Sequence, residues 1–167
     1  LQDITIDTIY VASPNSHHFE QSKRALQSGK HVICEKPFTP TLREAQELFD
    51  LADQNNRYIF EAITTIHLPN YQIVKEHLKD TGKVQLVQCN FSQFSSRYDK
   101  YKNHQVTNVF DPAFNGGALM DINVYCLHFV TGLFGKPDSI EYNANQGFNG
   151  IDTSGIAILR YPDKLAI

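Results

Sequence analysis

An α/β fold is predicted, with a parallel sheet in the first third of the chain and a mostly antiparallel sheet in the rest. Three observations carry this. Two strand–helix–strand crossovers follow one another between residues 7 and 60. From residue 84 onward apolar and polar residues alternate at period two, where the earlier strands are short continuous apolar runs. The 167 residues, 41% apolar and 20% charged, have an ordinary globular composition, long enough for one good core or two small ones.

The elements follow in order. Asp7-Thr8-Ile9-Tyr10-Val11-Ala12 is a β-branched run without polar alternation, the pattern of a buried parallel strand. Ser13-Pro14-Asn15 breaks it, and Ser16 is expected to cap a helix with Phe19, Ala25 and Leu26 inside. Gly29 closes that helix where a left-handed cap is needed, and His31-Val32-Ile33-Cys34 is the second strand. Thr41 caps the next helix, with Glu44 in capping-box spacing. Leu42, Ala45, Leu48, Phe49 and Ala52 form its apolar stripe, Asn55-Asn56 ends it, and Tyr58-Ile59-Phe60 is the third strand.

After Ala62 the pattern changes. A short helix is expected from Asn70 to Lys79, ending at Asp80-Thr81-Gly82. Residues 84–94 read as one half-exposed strand. Ser95 to Asn115 has no clear period, and a loop that long is usually functional or disordered. A strongly apolar helix runs from Ala118 to about Val130, and Ser139–Asn145 and Thr153–Tyr161 read as two further strands. The reading is the C-terminal half of a Rossmann-like parallel sheet (residues 1–62), lacking a glycine-rich loop, followed by a partial α+β domain (63–167). Both ends fall near regular elements, so a piece of a longer protein is expected.

Composition narrows the function. A net charge of -3 with both signs interspersed gives no reason to expect nucleic acid or an anionic membrane as partner. No apolar run is read as reaching the ~20 residues that cross a bilayer, and no signal peptide is read. Cys34, Cys89 and Cys126 are widely spaced, without a CxxC or a Cys/His cluster, which suits buried thiols in a cytoplasmic protein and gives no metal site.

Lys36 follows the second strand directly, in Cys34-Glu35-Lys36-Pro37. Ligands of open parallel sheets bind beyond the carboxyl ends of the strands. A lysine there can move the hydroxyl proton that accompanies hydride transfer, or it can be a solvated loop residue. Pro37 is compatible with a cis or a trans bond. Ser13, Pro14 and Asn15 sit at the end of the first strand, where Asn15 can hydrogen-bond a cofactor or simply form a turn. Asp121 and Tyr125 are four apart on an apolar helix and share a face with His128. Asp121 either orients a substrate hydroxyl or is a charge at a helix start, while His128 reads as a core side chain. Arg97 and Tyr98, in an aromatic-rich segment, either line a pocket for a hydroxylated substrate or solvate a loop.

These residues resemble a known family. Ala12-Ser13-Pro14-Asn15-Ser16-His17-His18, Gly29 to Pro37, and Gly116-Gly117-Ala118-Leu119-Met120-Asp121 followed by Tyr125 are similar to the glucose-fructose oxidoreductase/inositol dehydrogenase (Gfo/Idh/MocA) family, over nearly the whole chain. The resemblance implies an oxidoreductase that moves hydride between NAD or NADP and a carbinol carbon of a sugar, cyclitol or small polyol. It implies Lys36 as catalytic lysine, Asp121 as the aspartate of a second motif, and Tyr125 at a position held by histidine or tyrosine. Asn15, His18 and Glu35 are implied near the cofactor, and a homo-oligomer is implied through the antiparallel sheet. The fold also serves nucleotide-sensing regulators and NAD-dependent glycosidases, and an inactive fragment is a further alternative. Ile66 stands where many members have arginine and Asn123 where glycine is usual, departures that bear on substrate class. Without the glycine-rich turn, this stretch by itself is expected to bind cofactor poorly.

Overall fold

A computed structural model describes residues 1–167. The chain divides into two compact units, Leu1–Ala62 with Ala113–Gly116, and Ile63–Pro112 with Gly117–Ile167.

The first unit holds β1 (Thr8–Val11), α1 (His18–Gln27), β2 (His31–Cys34), α2 (Leu42–Gln54) and β3 (Ile59–Glu61). The strands form a parallel sheet in the order β1-β2-β3, with Tyr10, Ile33 and Phe60 in one row. Both crossover helices cover one face. Val11, Val32, Cys34 and Ile59 meet Ala25 and Leu26 of α1 and Leu48 and Ala52 of α2 in a single core. Leu26 and Leu48 are wholly buried there, each contributing about 1.5–3 kcal/mol. On the opposite face Tyr10 is 55% and Phe60 59% exposed in this chain.

Helix ends follow local chemistry. At α1, Gly29 takes φ 71°. Its N–H bonds to Leu26 O at 2.9 Å, and that of Lys30 to Ala25 O at 3.1 Å. That is a Schellman closure, and only a residue tolerant of positive φ suits its turn. Asn56, at φ 52°, closes α2 in the same way. Ser16 does not cap α1; residues Asn15–His17 instead form a 3-10 turn, without a side-chain cap. Thr41 does cap α2, accepting from the Glu44 N–H at 3.3 Å and donating to the Glu44 carboxylate at 3.0 Å. Thr41→Ala is therefore expected to cost about 1 kcal/mol, read as a lower urea midpoint with an unchanged slope. The α2 stripe is narrower than its pattern, because Leu42 is 85% exposed and Phe49, 48% exposed, meets Phe38 at the edge of the core.

The second unit holds α3 (Pro69–His77), β4 (Leu86–Val87), α4 (Tyr98–Lys102), α5 (Val124–Phe134), β5 (Ser139–Gln146), β6 (Asp152–Arg160) and β7 (Leu165–Ala166). Its sheet is mixed, in the order β4-β7-β6-β5. The β4–β7 pair is parallel, and the β7–β6 and β6–β5 pairs are antiparallel. Val130 of α5 packs on Ala157, Leu159 and Ala166 in its core. Of the strand expected over 84–94, Leu86–Val87 pairs with Leu165–Ala166, and the Cys89 N–H goes on to Ile167 O at 2.8 Å.

The aperiodic stretch after Ser95 is folded. It contains α4 and two 3-10 turns, and it builds a small core from Tyr101, Phe110 and Ile151. The Tyr101 ring stacks on Phe110 at 4.8 Å and on Phe148 at 4.5 Å, and its hydroxyl donates to Asn149 Oδ1 at 2.7 Å.

The apolar helix also differs from the expected form. Leu119–Asn123 is a π turn, followed by α5. Contrary to the sequence reading, the 23-residue stretch Pro112–Phe134 is by length and composition apolar enough to cross a bilayer. Asn115 and Gly117, at φ 53° and 106°, break it, so its unbroken helical part falls short of the ~20 residues needed.

Candidate active site

In the first unit the chemistry gathers at the carboxyl ends of the strands. The three strand ends are locked together: the Glu35 N–H bonds to Val11 O at 2.8 Å, and the Ala62 N–H to Cys34 O at 2.7 Å. Lys36, half-buried, follows β2, and the Lys36–Pro37 peptide is cis. The turn is held from two sides. From β3, Glu61 Oε1 accepts the Phe38 N–H at 2.9 Å. From α1, His18 reaches Pro37 O with Nδ1 at 2.8 Å and Ser13 O with Nε2 at 2.9 Å.

His18 thus stands elsewhere than at a cofactor surface. It is completely buried, and both ring nitrogens face backbone carbonyls. Its work is to tie the Ser13 turn to the Lys36 turn.

The remaining strand-end residues are differently placed. Asn15 Nδ2 donates to Asn115 O at 2.9 Å, from the segment that returns to this unit. Ser13 Oγ is buried without a hydrogen-bond partner, an orphaned donor and acceptor on the ligand-facing edge. Glu35 accepts the Tyr10 hydroxyl, and that bond, more than partial burial, raises the Tyr10 pKa above the usual phenol value. Burial pushes the Cys34 thiol up to about 11, which keeps it protonated and inert.

In the second unit Asp121 lies within the π turn, its N–H bonded to Gly117 O at 2.9 Å. π turns are rare and frequent at functional sites. Asp121 lines a cavity of about 260 Å³, with Phe94, Tyr98 and Phe110 as aromatic wall and Thr153 and Ser154 of β6 opposite. Tyr98 therefore joins Asp121, while Arg97 is exposed and outside that lining. Tyr125 is not in the lining either; its ring sits 5.6 Å from that of Phe91. His128 is half-buried on α5.

A larger cavity, about 780 Å³, lies between Gln88–Phe94 and Thr153–Ala157 with Ile167 at its end.

One arrangement here has no counterpart in the sequence reading. Asp152 Oδ2 accepts the Leu119 N–H at 2.7 Å and the Tyr142 hydroxyl at 2.6 Å. In the sequence Asp152 is merely a charge at a strand start. Gly117 is the one local sign, since a Cβ there would come within 1.8 Å of Asp152 Oδ1.

Known proteins resemble this chain throughout. The profile described as "Oxidoreductase family, NAD-binding Rossmann fold" matches residues 1–63, and that of the "GFO/IDH/MocA C-terminal domain" matches 71–167. The scyllo-inositol 2-dehydrogenase (NADP(+)) IolU of Bacillus subtilis is 40% identical over 155 residues, 93% of this chain and 47% of that protein. The trans-1,2-dihydrobenzene-1,2-diol dehydrogenase of Xenopus tropicalis is 30% identical over 167 residues, 98% of this chain and 48% of that protein. The fold is shared with a solved inositol dehydrogenase homolog from Azotobacter vinelandii, complexed with NADH and myo-inositol. The TM-score is 0.82 at 20% identity, over 96% of this chain and 43% of that one. The chain spans about half the length of the curated relatives it matches.

Proposed function

Since the chain belongs to the Gfo/Idh/MocA family of oxidoreductases, we propose that the complete protein is an NAD- or NADP-dependent dehydrogenase acting on a carbinol carbon of a cyclitol, sugar or similar small polyol. The observation that carries this is Lys36 at the carboxyl rim of a parallel sheet, on a turn fixed by His18 and Glu61. Ser13, Pro14, Asn15, Glu35 and Lys36 would hold the nicotinamide cofactor. The buried, unpartnered Ser13 Oγ fits that use, because a bound polar group would satisfy it. When bound, the nicotinamide accepts or returns the hydride.

The chain's own residues do the rest. Lys36 takes the hydroxyl proton during oxidation and returns it during reduction. Asp121 holds the reacting hydroxyl in line, and Tyr125 assists. Tyr98 offers an aromatic surface to the carbon-bound hydrogens of a ring, beside the carboxylate that orients its hydroxyls. We place the protein in the cytoplasm, consistent with three free cysteines, and expect it to self-associate through the outer face of β5–β6, where Ile156 is exposed.

Absorbance at 340 nm tests this in the complete protein. Turnover is expected with at least one of a panel of inositols, aldoses and dihydrodiols. Asp121→Asn should lower kcat by about 10–100-fold through loss of alignment. Cofactor binding with no turnover on any polyol would point instead to a sensor and overturn the reading.

A further inference from the structure

The start of the Asp121 helix is held by a carboxylate on another strand. Asp152, the first residue of β6, puts one oxygen on the Leu119 N–H at 2.7 Å, two residues before Asp121. The Tyr142 hydroxyl of β5 donates to the same oxygen at 2.6 Å. Burial first, and this bond second, raise the Tyr142 pKa, so the hydroxyl stays a donor. The other carboxylate oxygen lies against Gly117, at φ 106°, where a Cβ would approach to 1.8 Å. An anion at the first turn of a helix satisfies an otherwise unpaired N–H and complements the helix dipole.

This contact joins the two sides of the Asp121 cavity. Thr153 and Ser154, the next residues on β6, line one wall, and Asp121 enters from the π turn on the other. A π turn is a rare departure from the α-helical register, and here the two meet, since the Asp121 N–H keeps an α-type bond to Gly117 O at 2.9 Å. We propose that Asp152, with Tyr142 behind it, is the positioning residue that fixes the π register and thereby aims Asp121. The proposal rests on the role given to Asp121 above. Asp152 touches no substrate in this scheme; it acts through Asp121.

A double-mutant cycle in the complete protein decides this, using Asp121→Ala, Asp152→Ala and the pair. Asp152→Ala is expected to lower kcat on the polyol about tenfold or more, as sub-ångström misplacements do. The cofactor KM should stay within about twofold, since cofactor contacts lie at Ser13–Lys36. The double variant should be no slower than Asp121→Ala alone. Asp152→Asn, which keeps an oxygen for the Leu119 N–H, should recover much of kcat. Tyr142→Phe should fall between Asp152→Ala and the unaltered protein. If Asp152→Ala fails to fold, these two milder variants carry the cycle with Asp121→Ala. Full activity of the Asp152 variants beside an impaired Asp121→Ala would overturn the positioning role alone, as would effects that multiply. Full activity of Asp121→Ala would remove the role of Asp121 itself, and the positioning role with it.

Discussion

Lys36→Ala in the complete protein is expected to lower kcat by about 10²–10⁴-fold, the usual range for a lost general acid/base. Folding should be unaffected, because the Lys36 turn is held by other groups. Its backbone is fixed through Pro37 O and the Phe38 N–H, neither of which involves the lysine side chain. The check is kcat on the best polyol beside the urea midpoint of the same preparation. Lys36→Arg should not rescue, since a guanidinium gives up no proton near neutrality. Activity retained in Lys36→Ala would contradict the assigned role.

His18→Ala is expected to have the largest effect on stability, about 3–5 kcal/mol, near the top of what single substitutions produce. The imidazole is wholly buried, so its removal leaves a cavity. It also leaves Ser13 O and Pro37 O without their ring partner, and a buried carbonyl left unpaired costs about 1–3 kcal/mol. Because those carbonyls belong to the Ser13 and Lys36 turns, kcat should fall together with stability. A urea midpoint equal to that of the unaltered protein would show that the two bonds contribute little.

The parallel half was legible in the sequence because its signals are local. Apolar runs mark β1 and β2, Gly29 and Asn56 mark helix ends by their positive φ, and Thr41 with Glu44 marks a start. The rest depends on partners distant in sequence. Residues 84–94 alternate like a strand, but their pairing is set by β7, some eighty residues on. The stretch after Ser95 has no period because its aromatic side chains pack on one another and on Ile151 and Phe148, without a regular face. The return of Ala113–Gly116 to the first unit has no local sign at all.

The site divides along the same line. Lys36 and Ser13–Asn15 could be placed because they follow strands. Asp121 could be placed as a carboxylate in an apolar helix, but not its π turn, which leaves no mark in the spacing. His18 reads by resemblance as a residue near the cofactor until its two carbonyl partners are seen, one of them nineteen residues away. Asp152 carries no signal beyond its charge, because its partners Leu119 and Tyr142 come from separate elements.

The central claim is that Lys36 serves as acid/base on the same hydroxyl that Asp121 orients. A crystal structure of the complete protein with nicotinamide cofactor and its best polyol addresses this directly. The account predicts Lys36 Nζ and an Asp121 carboxylate oxygen both within about 3.2 Å of the reacting hydroxyl. A polyol bound with its reacting carbon at the nicotinamide and its hydroxyl out of reach of Lys36 would contradict it.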